Sequence, residues 1–174
     1  MSISEVTRRN IFDLLRVEKT SWNGRLNEVD FLSRMFNLNK MRSFDYRFSN
    51  AAGDIYQHRI NNWDWDDGWI YGDPRFDFLH CEDEVFLQFL CEMIHPVVRP
   101  DESEVAKLLK MFNDNLAIDG WQIVEVARIS NKQVFAGRPV DVELNIFHFA
   151  IEVLSFSMPL TRRGISPAPL IISW

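Results

Sequence analysis

The chain has 174 residues, 47% of them hydrophobic and 13% aromatic, and a formal net charge of −6. That apolar content supplies one real core and excludes disorder, which needs low hydrophobicity and high net charge. Charge breaks the apolar runs every few residues and no apolar stretch follows Arg8 and Arg9, so neither a membrane span nor a secretory leader is expected.

Ser4 has the chemistry of a helix cap, and the spacing predicts a helix over 5–17 with Val6, Ile11, Leu14 and Leu15 on one face. Asn27 predicts a second cap, with Val29, Phe31, Leu32, Met35 and Phe36 at helical spacing up to residue 37. A weaker helix is expected over 50–61, interrupted by Gly53, and then a long loop over 61–77 around Gly68, Gly72 and Pro74. Loops of that length in a domain are uncommon and often functional. The apolar stripe of Val85, Phe86, Phe89, Leu90 and Met93 predicts a helix over 82–94, closed by His95-Pro96. Asp101 caps the next, over 102–115, and Asp119-Gly120 stops it. A hairpin is expected from 121–129 and 133–136 about Ser130-Asn131-Lys132. Alternation over 140–146 favours a further strand, 147–156 is either strand or buried helix, and the segment from Pro159 reads as a loose Pro-rich tail. The predicted fold is therefore α+β, mainly α-helical with a small late β-hairpin, in one domain. Residues 1–138 form a globular module and 139–174 a hydrophobic extension and tail.

Cys81 and Cys91 lie too far apart for a zinc knuckle and are too few for a disulfide scaffold, so both are expected reduced and buried in a cytoplasmic protein. The charge is uneven. Over 64–84 there are eight acidic side chains against Arg75 alone, whereas residues 1–50 are net positive. Such a face repels a phosphate backbone and suits a basic protein partner, although a solvated loop has the same composition.

The densest set of polar residues is Asp54, His58, Arg59, Asn61, Asn62, Asp64, Asp66 and Asp67, interleaved with Trp63, Trp65 and Trp69. Asp54 and His58 share a helical face at i and i+4, a spacing that suits a general base and equally an ordinary helix contact. Asp64, Asp66 and Asp67 suggest a hard cation, but Gly68 and Trp69 fall where an EF-hand loop needs other residues, so no metal is assigned. Arg75 and His80 fit the R-x4-H spacing of HEPN ribonucleases, which carry both on one helix. Here Gly72-Asp73-Pro74 precedes the arginine, and the match is set aside. Serine-hydrolase, P-loop and dinucleotide motifs are absent, and no cofactor is expected. Trp22 and Trp121 are expected to anchor the core. The three loop tryptophans read either as an interface hot spot or as a packed cap.

Several short blocks stand in an order that resembles the third class of AbiJ-type N-terminal domains. They are Trp22-Asn-Gly-Arg-Leu26, Glu28-Val-Asp-Phe-Leu32, Asp45-x-Arg47, Gly53-Asp-Ile55, Gln57-His-Arg59, Asn62, Asp64-Trp65, Trp69 and Asp73-x-Arg75-Phe76. Phe89-Leu-Cys-Glu92, His95-Pro-Val-Val-Arg-Pro100 and the stretch 113–121 continue the pattern, so the resemblance covers about residues 3–138. It implies a module of bacterial abortive-infection proteins that precedes a separate effector and acts in sensing or regulation, without an established catalytic set. The sequence departs from the pattern after Arg138 and shows no effector. The expectation is a stand-alone regulator, a subunit served by an effector on another chain, or a truncated relative.

Three functions follow as expectations. The first is a non-enzymatic sensor or regulatory module of phage defence, recognising its trigger or partner through Trp22, Arg25, Asp54, His58, Arg59, Asn62, Asp64, Trp65, Asp66 and Trp69. The second is an immunity or antitoxin-type protein that neutralises a basic nuclease through the acidic stretch. The third is a metal-dependent enzyme built on Asp54 and His58.

Overall fold

Ser4 opens the first helix by accepting a hydrogen bond from the Thr7 amide at 3.2 Å, and α1 runs Glu5–Val17. It begins a computed structural model that describes residues 2–140. The elements expected beyond Val140, and the tail, lie outside the described residues. The buried face of α1 is Thr7, Arg8, Ile11, Phe12 and Leu15, whereas Val6 and Leu14, expected on the apolar face, are exposed. Arg8 shifts that face. Its guanidinium donates to the carbonyls of Ile3 and Phe78 and pairs with Asp83 at 2.6 Å, so a charged residue occupies the inner arc and Val6 is turned out.

Asn27 accepts from the Asp30 amide at 2.8 Å and starts α2, Glu28–Leu32. This helix is shorter than its apolar spacing suggests. It tightens into three-residue bonds at Arg34 and Met35, and a 3₁₀ turn follows at Leu38–Lys40. Asn50 caps α3, Ala51–Ile55, through the Gly53 amide. Gly53 does not interrupt the helix as expected, because α3 runs on directly as a π-helical segment, Tyr56–Asn61. The loop after it contains a 3₁₀ turn at Trp69–Tyr71.

The long helices match their spacing closely. α4 spans Asp83–Met93 and α5 spans Glu102–Leu116, the latter capped by the Asp101 carboxylate. Leu87 joins the buried stripe of α4, while Val85 is only half-buried. Gly120, at φ 76°, turns the chain into β1, Trp121–Ile129, which pairs antiparallel with β2, Lys132–Pro139. Ser130 and Asn131 both have positive φ, 49° and 66°, the geometry of a two-residue turn that matches strand twist. Asn113 of α5 holds β1 through both the amide and the carbonyl of Ile123, and Gly137 of β2 lies close against Leu87 of α4.

Phe12, Phe31, Phe78, Phe86, Phe89 and Phe112 are fully buried at the centre, with Phe78 and Phe89 stacked at 4.2 Å. Trp22 anchors this core as expected. Trp121 does so less, being half-buried with its indole N–H unpartnered among the described residues. Cys81 and Cys91 are free thiols, but both are half-buried where full burial was expected. Desolvation still pushes the Cys91 thiol up to about 12.

Trp22 is placed by a tether between distant segments. Buried Arg99 donates to the Ser21 carbonyl at 2.5 Å, and the Arg25 amide donates to the Val98 carbonyl at 3.1 Å. Between them Gly24 sits at φ 55°, where an added Cβ would stand 2.4 Å from the Val98 carbonyl oxygen. Gly24→Ala is therefore expected to destabilise the fold by more than about 1 kcal/mol. Chemical denaturation, read by circular dichroism, would give the difference.

Candidate functional site

The π-helical extension of α3 governs the site because it changes the phase at which side chains leave the helix. A π turn spaces its hydrogen bonds five residues apart, and the Asn62 amide accordingly reaches the Gln57 carbonyl at 3.0 Å. As a result the expected Asp54–His58 hydrogen bond does not form, since His58 Nε2 stands 3.9 Å from Asp54 Oδ1. His58 instead meets Asp64 through Nδ1 at 2.8 Å and Asp45 through Nε2 at 3.2 Å. Its ring stacks on Trp65 at 4.8 Å.

Asp54 has a different role. One oxygen, Oδ2, accepts from the Phe44 amide at 2.8 Å and from Arg75 Nη1 at 2.9 Å, while Oδ1 is buried without a hydrogen-bond partner among the described residues. Arg75 is held again by Asp73, with Nε to Oδ1 at 2.9 Å. So Asp54 ties two loops to α3 rather than activating His58. The R-x4-H pair is likewise separated in role: Arg75 is buried in this network, and His80 is exposed against Asp77.

On the other side of the same segment lies a second buried network. Arg59 donates through Nε to Glu28 Oε2 at 2.9 Å and through Nη2 to Asp67 at 2.8 Å, and also bonds the Trp65 carbonyl. Trp69 Nε1 donates to Glu28 Oε2 at 2.9 Å. Both Glu28 and Arg59 are buried. Burial opposes the guanidinium's charge, but its bonds to Glu28 and Asp67 prevail and raise its pKa. Above this network opens a cleft of about 720 Å³, walled by Trp22, Arg59, Trp63, Tyr71, Arg16 and Lys19 among others.

A family model described as AbiJ N-terminal domain 3 matches residues 2–137, a span that contains both networks and the cleft. The chain belongs to that family. No curated protein and no solved structure matches it. Membership associates this AbiJ domain with abortive infection, a form of phage defence.

Within the AbiJ domain the expected site residues divide. Trp22 and Arg59 line the cleft; Asp54, His58 and Trp65 line a shallower groove with Phe44 and Tyr46. Asp64 joins the groove through His58. Trp69 is core between the two, packed on Trp65 at 5.0 Å and Trp22 at 6.2 Å. Asn62 is exposed and bonds Gln57 and Asp64, and Asp66 accepts from the Gly68 amide. Arg25 lines neither cavity, because its guanidinium reaches back to the Val97 carbonyl at 2.6 Å. The three loop tryptophans are thus neither all interface nor all cap: Trp69 is buried, Trp65 half-buried and Trp63 71% exposed. Glu28, Asp45 and Arg75 stand in the sequence only in the blocks of the resemblance, Arg75 also in the R-x4-H spacing, and Asp67 in the polar set and the cation reading; their roles come from partners in other segments. Among the described residues, no three metal-binding side chains are placed to share an ion, and no helix is long and apolar enough to cross a membrane.

Two predictions follow from these networks. Glu28→Gln removes the charge under Arg59, and breaking a buried pair from one side costs about 3–5 kcal/mol. Because Asp67 remains as counter-ion, the loss should fall near about 3 kcal/mol, whereas Asp67→Asn at the exposed end should cost under about 1 kcal/mol. Urea titrations of the two variants check the contrast. The hydrogen bond from His58, then that from Asn62, holds the Asp64 carboxyl below its ordinary value of 3.8. The folded state therefore binds fewer protons there than the unfolded chain. The stabilisation is present above the ordinary value and is lost as pH falls through the folded one. Asp45 moves the same way, held down first by the Arg47 side chain. Melting temperature plotted over roughly pH 5 to 3 should slope less steeply for Asp64→Asn than for the native chain.

Proposed function

We propose that this AbiJ domain is a non-enzymatic recognition module of a phage-defence system, which takes its trigger in the cleft at Trp22, Arg59 and Trp63 and signals to a protein effector. The observation that carries the reading is the cleft itself. Its volume of about 720 Å³ falls in the range of ligand pockets, and its walls combine aromatic rings with a few fixed polar groups. A large exposed indole, Trp63, stands at its edge with a positive φ of 55°. A bulky residue in that conformation is strained, and such strain concentrates at ligand sites.

The other two expectations find less support. Three of the eight acids of the stretch pair with arginines of the fold: Asp67 with Arg59, Asp73 with Arg75, and Asp83 with Arg8. That leaves less free charge for neutralising a basic toxin. For an enzyme on Asp54 and His58, the carboxylate is committed to Arg75 and the Phe44 amide instead of orienting the imidazole.

The test is a phage challenge of cells that carry the protein with its neighbouring genes. Trp63→Ala, shown by circular dichroism to fold, should lose protection while Arg25→Ala keeps it. Full protection by the Trp63 variant would remove the cleft from the mechanism. Turnover of nucleic acid or nucleotide by the purified chain alone would replace the reading with an enzyme.

A further inference from the structure

We infer that the cleft is a binding site for a nucleotide, its base stacked on Trp63 and its phosphates on Lys19 and Arg16. This deepens the recognition reading and rests on it. The acidic groups of the cleft are already engaged: Glu28 and Asp67 both close on Arg59, whose remaining Nη1 bonds the Trp65 carbonyl. What remains at the walls is positive. Lys19 has no ion-pair partner among the described residues, and Arg16 has only exposed Asp13 at 3.2 Å. The Arg16 guanidinium lies over the Tyr71 ring at 5.0 Å and close to Gly68, so it is laid along the wall rather than projecting away.

Trp63, with the Arg59 guanidinium over its ring at 5.9 Å, lines the same cleft as the two cations. An aromatic face with cations in one cleft is the pairing that a base with phosphate recognises. Stacking is tolerant of base identity, and arginine and lysine supply the counter-charge. Both cations also stand near the C-terminal end of α1, where they offset its dipole. That role alone would affect stability and not ligand affinity, so the two are separable. The cleft is a local concavity of about 720 Å³ rather than a groove that tracks a backbone, which favours a free nucleotide over a strand.

Isothermal titration of the full chain with ATP, adenosine, inorganic triphosphate and a short single-stranded RNA tests this. ATP is expected to bind, with adenosine and triphosphate each at least about tenfold weaker. Lys19→Ala and Trp63→Ala should each weaken ATP by about tenfold, the scale of one lost stacking or charge contact. Arg25→Ala, directed at Val97 and away from the cleft, should leave it unchanged. No binding of ATP at millimolar concentration would overturn the proposal. So would binding indifferent to Lys19 and Trp63, or RNA binding more tightly than ATP. Lys19 is exposed, so its variant carries the test even if Trp63→Ala fails to fold. Phage protection that needs Trp63 without ATP binding would sink the nucleotide and leave the recognition module standing. ATP binding with protection untouched would do the reverse.

Discussion

Glu28 receives Arg59 and the Trp69 indole on one carboxylate, in a place almost closed to water. Three segments far apart in sequence meet there: the start of α2, the π extension of α3 and the 3₁₀ turn after the long loop. Desolvating an acid and a guanidinium costs several kcal/mol per ion, and their attraction returns this only when the hydrogen bonds are complete. Here Arg59 uses Nε, Nη1 and Nη2, and Glu28 both its oxygens. An apolar substitute of equal volume would pack at comparable stability, but it would lack direction. The ion pair sets which face of α3 turns toward α2, and with it the floor of the cleft.

The Asp54–Arg75–Asp73 network performs the corresponding task on the opposite side, drawing the loop at Phe44 and the turn at Pro74 onto α3. Two networks on one short helix leave little freedom for the segment between them. The π geometry of Tyr56–Asn61, like an α-helix, sets successive residues about a quarter-turn apart, so His58 and Arg59 serve the two different sides. Its cost is a poorer backbone ladder over six residues. The side-chain bonds of His58 and Arg59 offset that loss.

Much of the fold was legible because it depends on local signals. Ser4, Asn27 and Asp101 each cap the helix expected of them, and Ser130-Asn131 makes the hairpin turn. Legibility fails where a tertiary contact overrides the local pattern. Arg8 is not among the residues expected on the apolar face and is buried because Asp83 and two carbonyls receive it. Asp54 and His58 looked like a pair because i,i+4 spacing assumes an α-helix, and the π segment removes that assumption. For the site, residue types in the tryptophan-rich loop point to a stretch that borders the cleft and the groove, yet Glu28 and Lys19 lie outside it. A carboxylate in the first turn of a helix and a lysine just after the last turn of another both have ordinary dipole explanations.

The position of Trp63 shows how the two sides of α3 communicate. The loop that carries it is fixed at one end by the Asp64 amide on the His58 carbonyl, and by Asp64 on the His58 ring. Two residues on, Arg59 holds the Trp65 carbonyl and then Asp67. Trp63 thus projects from a short arch whose anchors are the adjacent residues His58 and Arg59. An arch this short cannot move its crown without loading its anchors, because the bonds that fix it are few and charge-assisted. Force applied to the indole at the mouth of the cleft is therefore borne by Arg59 on the Glu28 side and by His58 on the Asp45 side. A ligand seated on Trp63, as proposed, would act on the same two residues that hold the core network and the groove, so the recognition module we propose has a physical link to the far face of the domain.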